Sequence, residues 1–417
     1  MAFKAKYNIP AVIAAMIMGI PVVNADMLDD GRQAFMNYDF ERAAELYDKY
    51  VQTLRKKPNP QAEELLDLYR LQLELAENSL DNVQKIEVID RVDVPVEGFF
   101  NAVRLPQTGG KLLAPDKTPV KDADNSSDFV FSNESGDFKM WSETDADGVA
   151  HIMESTRLTD GSWETPVASG DILNDGGDVR NPFMLTDGVT LYYAGDGDGS
   201  MGGYDIFVAT KDPVSGDYRQ PVGAGYPFNS PYNEYLMAID ENNGIGWWVT
   251  DRNGLDGQVS VYVFRTNEIR QNYVAEEEEN IVSLARLDDI TLTQNPDTDY
   301  KAMVAGIMQR GKHIITEDEA DFLFPIPGGR VYKTLDDFSS AKAKRTMMQY
   351  LKAEEEHNSE LNELLDLRRR YHKANKKSGA STAIANRIKD LEKQTEWQRN
   401  KLKKMRNAVI SAELKGN

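Results

Sequence analysis

The sequence predicts a multidomain chain in which an all-β region of β-propeller type is flanked by helices, with a paired helical segment before it and a helical hairpin after it. Three observations carry this expectation. Short apolar strands divided by Gly, Asp, Asn and Pro fill the stretch from about Asp124 to Arg265, a texture typical of small antiparallel sheets. A pattern in that stretch recurs at a fixed interval of 55 residues. Amphipathic helical periodicity appears only on either side of it.

The repeat is legible residue by residue. Tyr192 and Tyr193 match Trp247 and Trp248, Asp196 matches Asp251, Gly199 matches Gly254, Gly202 matches Gly257, and Phe207 matches Tyr262. The linkers repeat as well, since Asn174 matches Asn229 and "SWETPV" matches "DYRQPV". An earlier copy, shifted by a residue or two, runs through Trp141, Gly148 and Ile152. A unit of this length has room for four short strands, as a propeller blade requires. Three copies do not close a ring, so further strands are expected at "GFFNAVRLP", "IVSLARLDDITLT" and "ADFLFPIPGGRVYKTL", which would allow four to six blades.

The segments "FMLTDGVTLYYAGDGDGSMGGYDIFVATKD" and "YLMAIDENNGIGWWVTDRNGLDGQVSVYVFR" resemble the PD40, or WD40-like, propeller repeats of TolB-type proteins and of envelope proteins of Bacteroidota. That resemblance implies a propeller over residues 91–335 acting in protein–protein interaction. Upstream, the spacing of Gly31, Ala34, Phe40, Ala43, Tyr47 and Pro58 is similar to a tetratricopeptide repeat within residues 26–90. Residues 1–25 read as a signal peptide: Lys4 and Lys6 precede an apolar run from Ile9 to Val23 that ends in small residues before Asp26. The expected location is therefore the periplasm, or the cell surface beyond it. No apolar run reaches the roughly 20 residues of a membrane span.

Residues 336–417 read as a helical hairpin. Ile384, Ile388, Leu391, Thr395, Gln398, Leu402, Met405 and Val409 alternate at spacings of 4 and 3, which makes a heptad seam with polar Thr395 and Gln398 inside it. Self-association through these helices is one reading. Charge divides the chain at the same place: Ala341 to Asn417 carries 19 Lys and Arg against 10 Asp and Glu, a net +9, whereas the remainder carries −29 within a total of −20. The acidic body argues against nucleic-acid binding. The basic end suits an acidic partner or lipopolysaccharide head groups.

Chemistry is sparsely signalled. The absence of cysteine excludes disulfides, thiolate metal sites and cysteine nucleophiles. The four histidines, His151, His313, His357 and His372, lie at no metal-ligand spacing, and there is no GxSxG nucleophile elbow. The acidic turns offer the sharpest candidate. Asp196, Asp198 and Asp205 could supply calcium oxygens, while Gly199, Gly202, Gly203, Asp251, Gly254 and Gly257 read as structural turn residues, because Asp caps its own backbone and Gly accepts positive φ. Turn geometry also accounts for the three aspartates, with calcium as the second reading and no other cofactor expected. The sequence thus predicts a non-enzymatic scaffold or binding protein whose partners are envelope or outer-membrane proteins. The alternative is a propeller that binds or cleaves a glycan, with Tyr192, Tyr193, Trp247 and Trp248 as candidate sugar-stacking rings.

Overall fold

A computed structural model describes residues 22–414 apart from 107–108, 121–124, 159–160, 175–176, 213–214, 255, 268, 275–279, 311–321, 323, 327–329, 333 and 374–378. Most of the expected signal peptide lies outside the described residues. Contacts divide the chain into two compact units. The first comprises the described residues up to Val103 together with Gly109–Ala209 and Gln220–Tyr300, and the second comprises Arg104–Thr108, Thr210–Arg219 and the chain from Lys301 on.

The first unit begins with α1 (Val22–Met36), α2 (Phe40–Lys56) and α3 (Pro60–Ser79). The side chain of Asp39 accepts the Arg42 N–H and so caps α2. Asn59 caps α3 in the same way, and Pro60 occupies the first helical turn where its missing N–H costs nothing. Phe35, Tyr38, Phe40, Ala43, Tyr47 and Tyr50 form the buried face of α1 and α2, joined by Ala62, Leu66, Leu73 and Ala76 of α3. Gly31 permits this packing, since a methyl group there would stand only 2.6 Å from the Tyr47 ring. Met201 and Tyr226, which come from loops between strands, complete the same cluster and fasten the helices to the sheets.

The strands that follow are β1 (Glu87–Pro95), β2 (Lys111–Leu113), β3 (Val130–Ser132), β4 (Phe138–Thr144), β5 (Ala150–Thr156) and β6 (Val167–Ala168). After a single helical turn, α4 (Asp171–Asn174), come β7 (Val179–Met184), β8 (Thr190–Gly195), β9 (Asp205–Thr210), β10 (Val222–Gly223), β11 (Glu234–Asp240), β12 (Ile245–Thr250) and β13 (Gln258–Arg265). They assemble into three antiparallel sheets with orders β2-β3-β4-β5-β6, β10-β9-β8-β7 and β1-β13-β12-β11. In the third sheet β1 supplies the outer strand, pairing Glu87 with Arg265 and Pro95 with Gln258 across a long sequence separation. The second and third sheets share a core of Ile206, Phe228, Met237, Trp248, Tyr262 and Phe264, in which Trp248 stacks on Tyr262 at 4.3 Å.

This architecture corrects the expected β-propeller. Three sheets of five, four and four strands are present, and no closed barrel or propeller forms among the described residues. The stretches expected to add blades take other conformations. In "GFFNAVRLP", Phe99–Ala102 is a 3-10 turn entered through Gly98 at φ 74°. "IVSLARLDDITLT" forms α5 (Ile281–Arg286) and a 3-10 turn at Ile290–Thr293, because Ile281, Leu284 and Ala285 recur at helical rather than strand spacing.

In the second unit α6 (Tyr300–Arg310) precedes a two-stranded ribbon of β14 (Phe324–Ile326) and β15 (Arg330–Tyr332), followed by α7 (Ala341–Lys373) and α8 (Gly379–Leu414). The ribbon therefore supplies no blade. The long helices run antiparallel: Leu364 packs with Ile388 and Leu391 near the connection, and Ala343 and Met347 pack near Val409 at the opposite end. Thr395 and Gln398 are buried in the seam. Glu413, fully buried, accepts the Tyr332 hydroxyl at 3.0 Å and the Ser339 and Ser340 amides at 2.8 and 3.0 Å. A carboxylate is thereby held at the positive N-terminal end of α7.

Candidate functional site

The acidic turns are built into the sheets. The carboxylate of Asp196, at the end of β8, accepts the Asp178 N–H at 2.8 Å, and Asp251, at the end of β12, accepts the Asn233 N–H at 2.9 Å. The device is one and the same, repeated at the 55-residue interval. Asp178 and Asn233 then each reach to the neighbouring sheet, accepting the Ala150 N–H at 2.5 Å and the Tyr204 N–H at 3.1 Å respectively. Asn174 and Asn229 make a second repeated link. Each side-chain amide clamps both backbone groups of one strand residue, Ile152 in one copy and Ile206 in the next. Asp178 also accepts the Tyr204 hydroxyl and pairs with Arg180 at 2.8 Å. Burial pushes its pKa up, but these donors outweigh it and hold the group below the ordinary value.

Gly199, Gly254 and Gly257 have φ of 90°, 65° and 69°, as turns entered by a left-handed residue require. Gly202 serves a different purpose. A side chain there would collide with the Ser230 and Tyr232 carbonyls, while the Gly202 carbonyl accepts the Gln72 side chain of α3 at 2.6 Å and the adjacent Gly203 N–H reaches Tyr232. The loop after β8 is thus wedged between α3 and the loop before β11. Asp198 lies exposed on the same loop.

Asp205 sits apart from the surface. It opens β9, is fully buried, and accepts the Met201 N–H through Oδ2 at 2.7 Å. Its neighbour is Glu234, which opens β11 and is also fully buried. Glu234 accepts from the Ser230 amide and hydroxyl at 3.0 and 2.6 Å, from the Thr250 hydroxyl at 2.8 Å, and from Arg252 at 3.0 Å. Arg252 also donates to the Pro227 and Phe228 carbonyls at 2.8 and 3.0 Å and, through Nε, to the Thr250 hydroxyl oxygen at 3.4 Å. Burial, reinforced by the Glu234 charge, drives the Asp205 pKa well above the ordinary carboxyl value. Burial also raises Glu234, with Arg252 opposing. For Arg252, burial pulls downward, yet the Glu234 carboxylate more than compensates and keeps the guanidinium charged. Burial thus favours the neutral form of Asp205, while the Arg252 guanidinium opposes the same tendency at Glu234. Around it pack the buried rings of Tyr38 and Tyr226, 5.9 Å apart.

Of the calcium candidates, then, Asp196 caps a strand end, Asp198 is on the surface and Asp205 is in the core. Among the described residues no group of three or more His, Cys, Asp or Glu side chains is placed to hold a metal ion. Of the four candidate stacking rings, Tyr193, Trp247 and Trp248 are buried and Tyr192 is half-buried. Sequence reasoning found Asn174, Asn229, Asp196 and Asp251 through the repeat. It missed the Asp178–Asn233 pair, which lies on the same interval, and the Glu234–Arg252 pair, which the preceding copy does not reproduce because Val179 and Gly197 stand in those places.

The exposed large side chains lie elsewhere. Leu68 and Leu71 on α3 are 49% and 57% exposed, and Trp397 on α8 is 60% exposed with the Lys401 ammonium 5.1 Å from its ring centre. Among the described residues no helix is long and apolar enough to cross a membrane.

No family model, curated protein or solved structure matches the chain.

Proposed function

We propose that this protein is a non-enzymatic scaffold or binding protein of the cell envelope, exported by its N-terminal segment, that joins envelope or outer-membrane proteins through its helical surfaces. The observation that supports this reading is where the chemistry lies. The ionisable groups of the strongest polar centre are buried: Glu234 and Arg252 bond to each other and to the backbone, and Asp205 beside them accepts the Met201 N–H. They fasten sheets together, whereas large apolar side chains stand outward on α3 and α8. Isolated surface leucines are ordinary, but paired leucines or a tryptophan among charges suit a contact with another protein.

Affinity capture on the tagged full-length chain from detergent-solubilised envelopes tests the reading. A stoichiometric periplasmic or outer-membrane protein is expected in the eluate. Recovery of glycan alone, or turnover of a glycan panel abolished by a single carboxylate substitution, would overturn it.

A further inference from the structure

Two exposed helix faces in this chain are complementary to each other. On α3, Glu64, Asp67, Leu68, Leu71 and Glu74 share one exposed strip, the two leucines one turn apart with acids on both sides. On α8, Lys393, Trp397, Lys401 and Lys404 share another, with the tryptophan at its middle. Lys393 and Lys404 are exposed, Lys401 lies along the indole, and none of the three forms an ion pair among the described residues. With a rise of about 1.5 Å per residue, Lys393 and Lys401 stand about 6 Å to either side of Trp397 along the axis. Glu64 and Glu74 stand about 8 and 7 Å to either side of the midpoint between Leu68 and Leu71. Trp397 laid between the leucines therefore brings lysines within side-chain reach of acids at both ends.

We propose that the Trp397 face of α8 docks on the Leu68–Leu71 face of α3 in a second copy of this chain. A second copy is the occupant because this chain carries both halves of the contact with opposite charge, a hairpin at +9 and a remainder at −29. Each face is exposed on its own unit. The indole supplies a large rigid apolar anchor, and the lysines and acids form the polar rim that fixes register and speeds encounter. The contact stands whether or not the envelope reading above holds.

The test is the mass of the purified full-length chain by sedimentation and light scattering over a range of protein and salt concentrations. Self-association that weakens as salt rises is expected. Trp397→Ala should weaken it about tenfold or more, as loss of an aromatic anchor does. Leu68→Ser with Leu71→Ser should do the same from the other face. Lys393→Glu with Lys401→Glu should also weaken it, and adding Glu64→Lys with Glu74→Lys in the same chain should restore it to within roughly threefold, the coupling expected of residues in contact. All of these positions are on the surface, and a far-ultraviolet spectrum and melting curve like the wild type's confirm that each variant folds. A chain that is monomeric at every concentration would overturn the proposal. So would self-association unmoved by substitution of either face, or a charge swap that fails to rescue. Binding of Trp397 to anionic lipid vesicles in place of self-association would overturn it as well.

Discussion

Replacing Arg252 by methionine is expected to be among the most damaging single changes in the first unit. The substitution keeps most of the volume but removes the guanidinium paired with Glu234, and it strips donors from the Pro227 and Phe228 carbonyls. Breaking a buried pair in this way costs about 3–5 kcal/mol, because the remaining charge is left without compensation. For a unit of this size each kcal/mol moves the melting temperature by roughly 2–4 °C, so a fall of about 10 °C is expected. Trp248 is a local reporter, since its ring centre lies 5.9 Å from the Arg252 guanidinium carbon. Denaturant unfolding followed by tryptophan fluorescence therefore reads the lock and the global transition together. Glu234→Gln in the same background should recover about 2 kcal/mol or more, because it removes the orphaned charge. A melting temperature within about 1 °C of wild type, or two single effects that simply add in the double variant, would refute the assignment of Glu234–Arg252 as a coupled pair.

Four further outcomes follow from the same geometry. Asp205 has its folded pKa raised, so its contribution is fully present below the ordinary carboxyl pKa and is lost as pH rises through the folded value; Asp205→Asn should flatten that decline in urea titrations run from acid to alkaline pH. Asp178 is lowered instead, so its contribution is present above the ordinary carboxyl pKa and lost as pH falls through the folded value; Asp178→Asn should flatten the acid limb of the same titrations. Gly202→Ala should cost about 1–3 kcal/mol through its collision with the Ser230 and Tyr232 carbonyls, whereas Gly254→Ala, at φ 65° with open space around it, should cost about 1 kcal/mol in calorimetry. Asn229→Ala leaves both backbone groups of Ile206 without their side-chain partner in a buried place and should cost about 1–3 kcal/mol, more than Asn174→Ala at the less buried equivalent position.

The repeat was readable because the same local bonds recur: Asp196 to Asp178 and Asp251 to Asn233 are one turn device, and Asn174 and Asn229 one strand clamp. These are short-range constraints, and short-range constraints leave a period in the chain. The long helices were readable for a similar reason, since α7 and α8 bury one another along a seam whose spacing the sequence displays. The flanking apolar stretches misled. "IVSLARLDDITLT" has strand-like composition but helical spacing, and "GFFNAVRLP" turns at Gly98. The candidate site was less legible still. The sequence reads Asp205 as a turn residue or a calcium ligand, and nothing around "GGYDIF" signals that Glu234 and Arg252 lie beside it.

By itself the sequence determined the repeated unit, its turn glycines, the helical ends and the division of charge between an acidic body and a basic hairpin. Each of these is set by neighbours within a few residues or by composition. The tertiary structure decided how many sheets form, that β1 closes the third sheet's edge, that Asp205 is buried beside Glu234 and Arg252, and which leucines and tryptophan are left facing outward. Those outcomes depend on which surfaces remove one another from water, a balance struck between segments far apart in the chain and therefore carrying no local period.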